Sequence, residues 1–263
     1  MTGVPAAEHV DRAPVSLAQA GRALRDGEAV VLPNPAPLTH VVTACRARTV
    51  NEAKGRPGDQ SVALWAHHPD MLRALDQVWA LGPDQRTTVR WLLLQERSTV
   101  LVPVRDGIDL PDWAAPAVKD GWMLLFGARW QPLRPLLDDL PLLYVSSANR
   151  TGHRPAATTA DALAMFPATV AVLAVPEAED PSPATDATKR QATTTIRLHP
   201  DGRPELHRHG AQDRHHSDPD EYLRHLRDRC AQAARQHGAG GAPPAASPVP
   251  AAHTAGLLGG ASD

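Results

Sequence analysis

The chain has 263 residues, 42% of them apolar, and a formal net charge of -2. That length accommodates one large domain or two small ones with a real core, and the charge argues against a protein that coats nucleic acid non-specifically, leaving only local basic patches open. No apolar run reaches the length of a membrane span, and Cys45 and Cys230, far apart and in unlike settings, read as free thiols of a reducing cytoplasm.

Residues 1–15 are Pro/Ala-rich and polar and read as a flexible N-terminal arm; Glu8 and Asp11, with no apolar stretch beside them, speak against a secretion signal. Ser16 caps a helix through Leu17, Ala20 and Leu24 that stops at Gly27. Residues 29–32 form a short strand ended by Pro33, and residues 34–37 a turn. Residues 39–54 read as mostly helical, with Val42, Cys45 and Val50 inward and Arg46 and Arg48 outward. A strand at 61–65 follows, then a helix from Pro69 to about Leu81, a short helix from Pro83, and strands at 98–104 and 122–126. A short helix at 132–137, a buried strand at 142–145, a Thr-capped helix to Met165 and a strand at 170–175 come next. Residues 177–190 read as a loop. Residues 193–198 and 204–207 pair across the turn at Asp201-Gly202. Strands alternating with helices give an α/β domain over residues 16–211. A helical extension over 212–237 opens on Asp218-Pro219-Asp220-Glu221, and a disordered tail runs from 238 to 263.

Three segments carry candidate chemistry. In Lys54-Gly55-Arg56-Pro57 an extended backbone puts both cations on one face with a glycine between them, an arrangement suited to gripping a phosphate or carboxylate. Taken alone, the same residues also fit two solvated surface cations. Ser146-Ser147-Ala148-Asn149 at a strand's end, with Thr151-Gly152 beyond, suits a ligand-facing loop or an ordinary polar turn. Thr193-Thr194-Thr195-Ile196 leads to Leu206-His207-Arg208-His209-Gly210-Ala211.

In that order and spacing the three segments resemble the YrdC-like family, the threonylcarbamoyl-AMP synthases, over residues 16–211. The resemblance implies a YrdC-like twisted mixed α/β sheet with flanking helices around a basic cleft. It implies a cytoplasmic nucleotidyltransferase that condenses L-threonine, bicarbonate and ATP into threonylcarbamoyl-AMP and pyrophosphate for tRNA N6-threonylcarbamoyladenosine modification. Lys54 and Arg56 would be catalytic, holding triphosphate or carbamate. Ser147, Asn149, Thr193, Thr194 and Arg208 would bind nucleotide or substrate, and Mg2+ would arrive on the nucleotide with no protein cage. A tRNA threonylcarbamoyl-transferase partner and RNA are implied as well.

The chain departs from the family where Leu32-Pro33 runs into Asn34-Pro35-Ala36-Pro37-Leu38-Thr39. The family continues there through an acidic residue into T-V-Y-G-L. Its later V-R-V-P is replaced by Phe126-Gly127-Ala128-Arg129, and Ser61 stands where proline is usual. The phosphate end is kept and the amino-acid end is rebuilt. Hence the alternatives: a paralogue adenylating another carbamate or acyl group, or a non-catalytic nucleotide- or double-stranded-RNA-binding relative.

Other residues read as structural. His207, His209, His215 and His216 lack ligand spacing for a metal. Asp138 and Asp139 form a polar helix exit. Trp79 and Trp122 read as core, and Trp91 and Trp130, beside arginines, are the nearest approach to a stacking platform.

Overall fold

The structure, a computed structural model, describes residues 12–176 and 190–238. The start of the expected arm, nearly all of the loop at 177–190 and the tail after 238 lie outside the described residues. Ten strands form one mixed sheet: β1 (Val30–Leu32), β2 (Val41–Ala44), β3 (Ala63–Trp65), β4 (Thr99–Pro103), β5 (Val118–Lys119), β6 (Trp122–Phe126), β7 (Tyr144–Ser147), β8 (Ala171–Val172), β9 (Thr195–Leu198) and β10 (Pro204–Arg208). The order is β10-β9-β4-β6-β3-β7-β2-β1-β8, with β5 paired to the start of β6. The β1–β8, β3–β6 and β4–β9 pairs are parallel, and the others antiparallel.

Alternate residues of these strands point to opposite faces. Val42, Leu64, Val100, Met123, Leu125 and Ile196 face α2 (Ala47–Ala53), α3 (Pro69–Leu75), α4 (Pro83–Leu94), α6 (Thr159–Met165) and α7 (Pro219–Gly238), whose apolar residues complete one core. Val30, Leu32, Val41, Trp65, Phe126 and Val145 point to the other face, which is covered in part by α1 (Leu17–Arg25) and α5 (Arg134–Asp139). Among the described residues those two short helices leave the second face uncovered toward β4, β6 and β9, which opens a cleft there.

Several expected elements hold, and each carries its cap. Ser16 makes a capping box with Gln19, as Thr158 does with Asp161, and Asp218 accepts the Glu221 amide at 2.7 Å. The expected helix over 39–54 is corrected: its first part is β2. Val41-Val42-Thr43 is β-branched and buried on both faces between β1 and β7, so it shows none of the polar alternation that marks a half-exposed strand. The helix expected to reach Leu81 ends at Leu75, where Val78 and Trp79 turn back onto its last carbonyl. The strand expected at 142–145 is shifted onward to Tyr144–Ser147, so Ser146 and Ser147 are strand residues. Residues 12–15 are tied down: the Val15 amide donates to the Val172 carbonyl at 2.8 Å, and Arg12 to that of Phe166 at 2.8 Å.

Trp79 is core, but Trp122 is not. It lies half-buried on the open sheet face with the Arg197 guanidinium 4.9 Å from its ring centroid. Trp91 is covered by Arg229 from α7 at 5.4 Å and forms no stacking platform. Gly127 explains the change after β6. A Cβ there would stand 2.4 Å from the Leu93 carbonyl oxygen, so the strand leaves the sheet pressed against the end of α4 and only glycine fits. Asp138 and Asp139 pair with Arg134 and Arg25, as a helix exit would. No helix of the described residues is long and apolar enough to cross a membrane.

Candidate functional site

A cavity of about 470 Å³ opens on the uncovered sheet face. Its floor is Val41, Ala63, Leu124, Phe126 and Val145, and its rim carries Lys54, Arg56, Ser147, Asn149, Thr193 and Arg208. Six of the seven residues singled out from the sequence therefore line one space. None of the described residues that line it is an aspartate or glutamate, so among the described residues three cations converge without a counter-ion.

The grip is built by the way α2 ends. The Arg56 amide donates to the Asn51 carbonyl at 3.1 Å and the Gly55 amide to the Glu52 carbonyl at 2.9 Å, with Gly55 at φ +65°. This is the double bond of a Schellman exit, which a left-handed glycine allows. The extended K-x-R reading is corrected accordingly: the two cations are brought together by a helix cap, and Lys54 itself is in helical conformation. Asn51, fully buried, completes the loop. Its Nδ2 donates to the carbonyls of Gly58 and Gln60 at 3.0 and 2.7 Å, and its Oδ1 accepts from Arg56 Nε at 2.5 Å. Sequence reasoning missed Asn51. An asparagine in the last turn of a helix, at a cost in propensity, was the available signal.

Lys54 is only 4% exposed. Its ammonium donates to the Ser147 carbonyl and, at 2.8 Å, to Asn149 Oδ1, which also accepts from Ser147 Oγ at 2.6 Å. An ammonium has three donors, so one is left for a ligand. Burial, and then repulsion from Arg56, push the Lys54 amine down from 10.5 to about 7. Asn149 Nδ2 donates to the carbonyls of Arg150 and His153, which pins the amide. Ser147 and Asn149 thus position Lys54 as well as facing the cavity.

Thr193 Oγ1 lies 2.5 Å from Thr99 Oγ1, and Arg208 reaches the Thr193 carbonyl at 3.4 Å. Thr194 does not line the cavity, which corrects its expected role. Its fully buried hydroxyl donates to Asp213 Oδ1 at 2.6 Å and accepts from the amides of Gln212 and Asp213. This latch folds residues 210–213 back onto the start of β9, behind Thr193 and Arg208. Burial acts to raise the Asp213 carboxyl, but hydrogen bonds from Thr194, His209 and the Gly210 amide outweigh it and hold the group below 3.8. Asp213→Ala should therefore lower stability at pH 7 by about 1–3 kcal/mol. Because the folded value is depressed, the contribution is present above 3.8 and fades as pH falls below it. Urea unfolding of both chains at pH 7 and at pH 3 checks this, and the gap should narrow at pH 3.

His209 belongs to this latch, with Nδ1 2.6 Å from Asp213 Oδ2, and His216 packs on Tyr222. Among the described residues, no group of three His, Cys, Asp or Glu is placed to hold a metal. Arg129 donates to the Ala66 carbonyl at 3.3 Å and does not line the cavity.

No protein-family model and no curated protein matches the chain. Solved structures do. P. abyssi Sua5 complexed with L-threonine aligns with TM-score 0.54 and 16% identity over 74% of this chain and 54% of that one. Full-length HypF in its phosphate- and nucleotide-bound form aligns with TM-score 0.55 and 14% identity over 76% of this chain and 30% of that one. E. coli YciO aligns with TM-score 0.51 and 13% identity over 74% and 88%. The chain spans about half the length of the Sua5 structure it matches (54%). At these identities the likeness concerns the fold, and the chain has a divergent YrdC-like α/β fold.

Proposed function

We propose that the cavity binds a nucleoside triphosphate and that the chain joins its nucleotidyl group to a carbamate, releasing pyrophosphate. Threonylcarbamoyl-AMP, made from L-threonine, bicarbonate and ATP, is the default product. The observation that carries this reading is the convergence of Lys54, Arg56 and Arg208 on one cavity with no carboxylate among the described residues that line it, since cations gathered in one space call for a polyanion. The fold supports it through neighbours whose structures hold L-threonine and a nucleotide.

The chemistry asks little of the protein beyond placement. Bicarbonate and an amine give a carbamate and water. A carbamate oxygen attacks the α-phosphorus, and the bond to pyrophosphate breaks. Lys54 and Arg56 would spread the charge of the transferring group, with Arg208 steadying the far phosphates. The described residues of the lining include no Asp, Glu, His or Cys, so Mg2+ would take its ligands from phosphates and water.

Pyrophosphate release from ATP and bicarbonate, run with and without L-threonine, tests the proposal. Threonine-dependent release is expected. Release only with other amines would replace threonine as the substrate, and no release with any amine would sink the enzymatic reading. A second reading, a nucleotide- or RNA-binding relative, is favoured by Trp122 and Arg197 on the open sheet face next to the cavity. RNA binding that weakens steeply with salt, in a chain that releases no pyrophosphate, would select it.

A further inference from the structure

Asn34 lines the cavity from the loop between β1 and β2, and it is 1% exposed. Its Nδ2 donates to the Thr39 carbonyl at 2.9 Å. That bond fixes the orientation of the amide, because the flipped group would set two acceptors against each other. Oδ1 is thereby left buried with no hydrogen-bond partner among the described residues. Arg190 donates to the backbone carbonyls of Asn34 and Leu38, each at 3.3 Å, and the Thr39 amide donates to the Gln191 carbonyl at 2.9 Å. The loop is thus held from both sides. A buried acceptor without a donor is rare in a folded protein and calls for an explanation.

The place of this acceptor says what would satisfy it. Thr39, which anchors the amide, lies two residues before Val41, the register partner of Ser147. Asn34 therefore stands beside the strand end whose Ser147 carbonyl and Asn149 side chain hold Lys54. Its apolar neighbours in the lining include Leu38, Val41 and Val145. Among the described residues an ammonium brought here would meet three cations and no carboxylate, which disfavours a charged donor.

We propose that Asn34 Oδ1 is a specificity-determining acceptor: a ligand that sets its anionic group on Lys54 and Arg56 presents a neutral N–H or O–H donor, of an amide, carbamate or hydroxyl, to Asn34. This rests on the anion-binding reading of the cavity. Within that reading, the carbamate N–H rather than the ammonium of a free amine occupies this end. It also gives the rebuilt loop at residues 34–39 a task.

Two stable phosphonates test the idea, phosphonoacetamide and 2-oxopropylphosphonate, which differ in an NH2 group in place of CH3. In calorimetric titrations of the full chain, the amide should bind about tenfold more tightly. Asn34→Leu, which keeps an apolar volume there, should bind the two equally while holding 2-oxopropylphosphonate as well as the parent does. Equal binding to the parent overturns the proposal, as does a preference that survives in Asn34→Leu or binding of neither compound. If the variant does not fold, the parent's preference decides alone. A parallel ATP titration separates the two readings. ATP binding without phosphonate discrimination sinks the role of Asn34 and leaves the nucleotide site standing. Discrimination without ATP binding does the reverse.

Discussion

Lys54→Met should bind ATP about a hundredfold more weakly than the parent chain and, without ligand, should resist urea better. Both effects have one source. The ammonium is buried beside Arg56 with two neutral acceptors and, among the described residues, no carboxylate. Removing it takes away a desolvated charge-assisted contact to the polyanion, and each tenfold in affinity corresponds to about 1.4 kcal/mol. Without ligand the same charge is uncompensated, so a methionine of similar shape relieves the cost of burying it. Two hydrogen bonds are lost in exchange, which limits the gain to about 1–2 kcal/mol.

The pH dependence follows with opposite signs. The folded amine titrates near 7 and the unfolded one near 10.5. Between those values the unfolded chain binds the extra proton, so the parent's stability rises with pH through this window. At pH 7 and below the full cost of the buried cation is present. The advantage of Lys54→Met should therefore be largest there and shrink toward pH 10.5. Ligand binding needs the charged form, so the parent's ATP affinity should fall above about pH 7, with proton uptake visible by calorimetry in buffers of different ionisation enthalpy. An affinity flat from pH 6 to about 9, or a variant that binds like the parent, would remove Lys54 from the site.

What could be read from the sequence follows the range of the interactions involved. Ser16, Thr158 and Asp218 act within one helical turn, and their caps are visible as local patterns. The segments around Lys54, Asn149 and Arg208 were recognisable because each is a short string in a fixed order. Their meeting in one cavity comes from β-strand neighbours far apart in sequence, such as Val41 beside Ser147 and Thr99 beside Thr195. β2 was misread because both its faces are covered, which erases the alternation that marks a strand. Thr194 was carried into the site by the resemblance, and a run of three threonines gives no hint which hydroxyl faces the cavity. The period of β9 turns Thr195 toward the open face, and the residue before it turns its hydroxyl to Asp213. The sequence marks Asn34 only as part of a departing loop and Asn51 not at all, because their importance lies in which backbone groups they meet, and composition says nothing of that.

Tyr222→Ala should cost about 3–5 kcal/mol, a large share of the 5–15 kcal/mol that holds a typical domain together. From its position after the last strand α7 reads as an extension, but its inner face is core. Tyr222 is 1% exposed and Leu226 2%, both within the cluster that packs against the sheet. The Tyr222 hydroxyl donates to Glu96 Oε1 at 3.1 Å, just beyond the end of α4, and Arg229 holds the other oxygen at 2.5 Å. Truncation leaves a cavity and removes one of the two side chains that hold Glu96. Tyr222→Phe keeps the ring and loses only the hydrogen bond, so it should cost about 1 kcal/mol. Burial first, and then the charge of Glu96, push the phenol up from 10, so its contribution is whole below pH 10 and is lost as the pH rises further. The effect reaches the site because α7 packs against β10, the strand that ends in Arg208. Urea unfolding followed by both tryptophan fluorescence and far-ultraviolet dichroism would measure it. A single cooperative transition shifted to lower urea is expected for Tyr222→Ala. An unshifted main transition, preceded by separate loss of helix, would make α7 an independent extension and leave Arg208 to be positioned by the β9–β10 pairing and the Thr194–Asp213 latch alone.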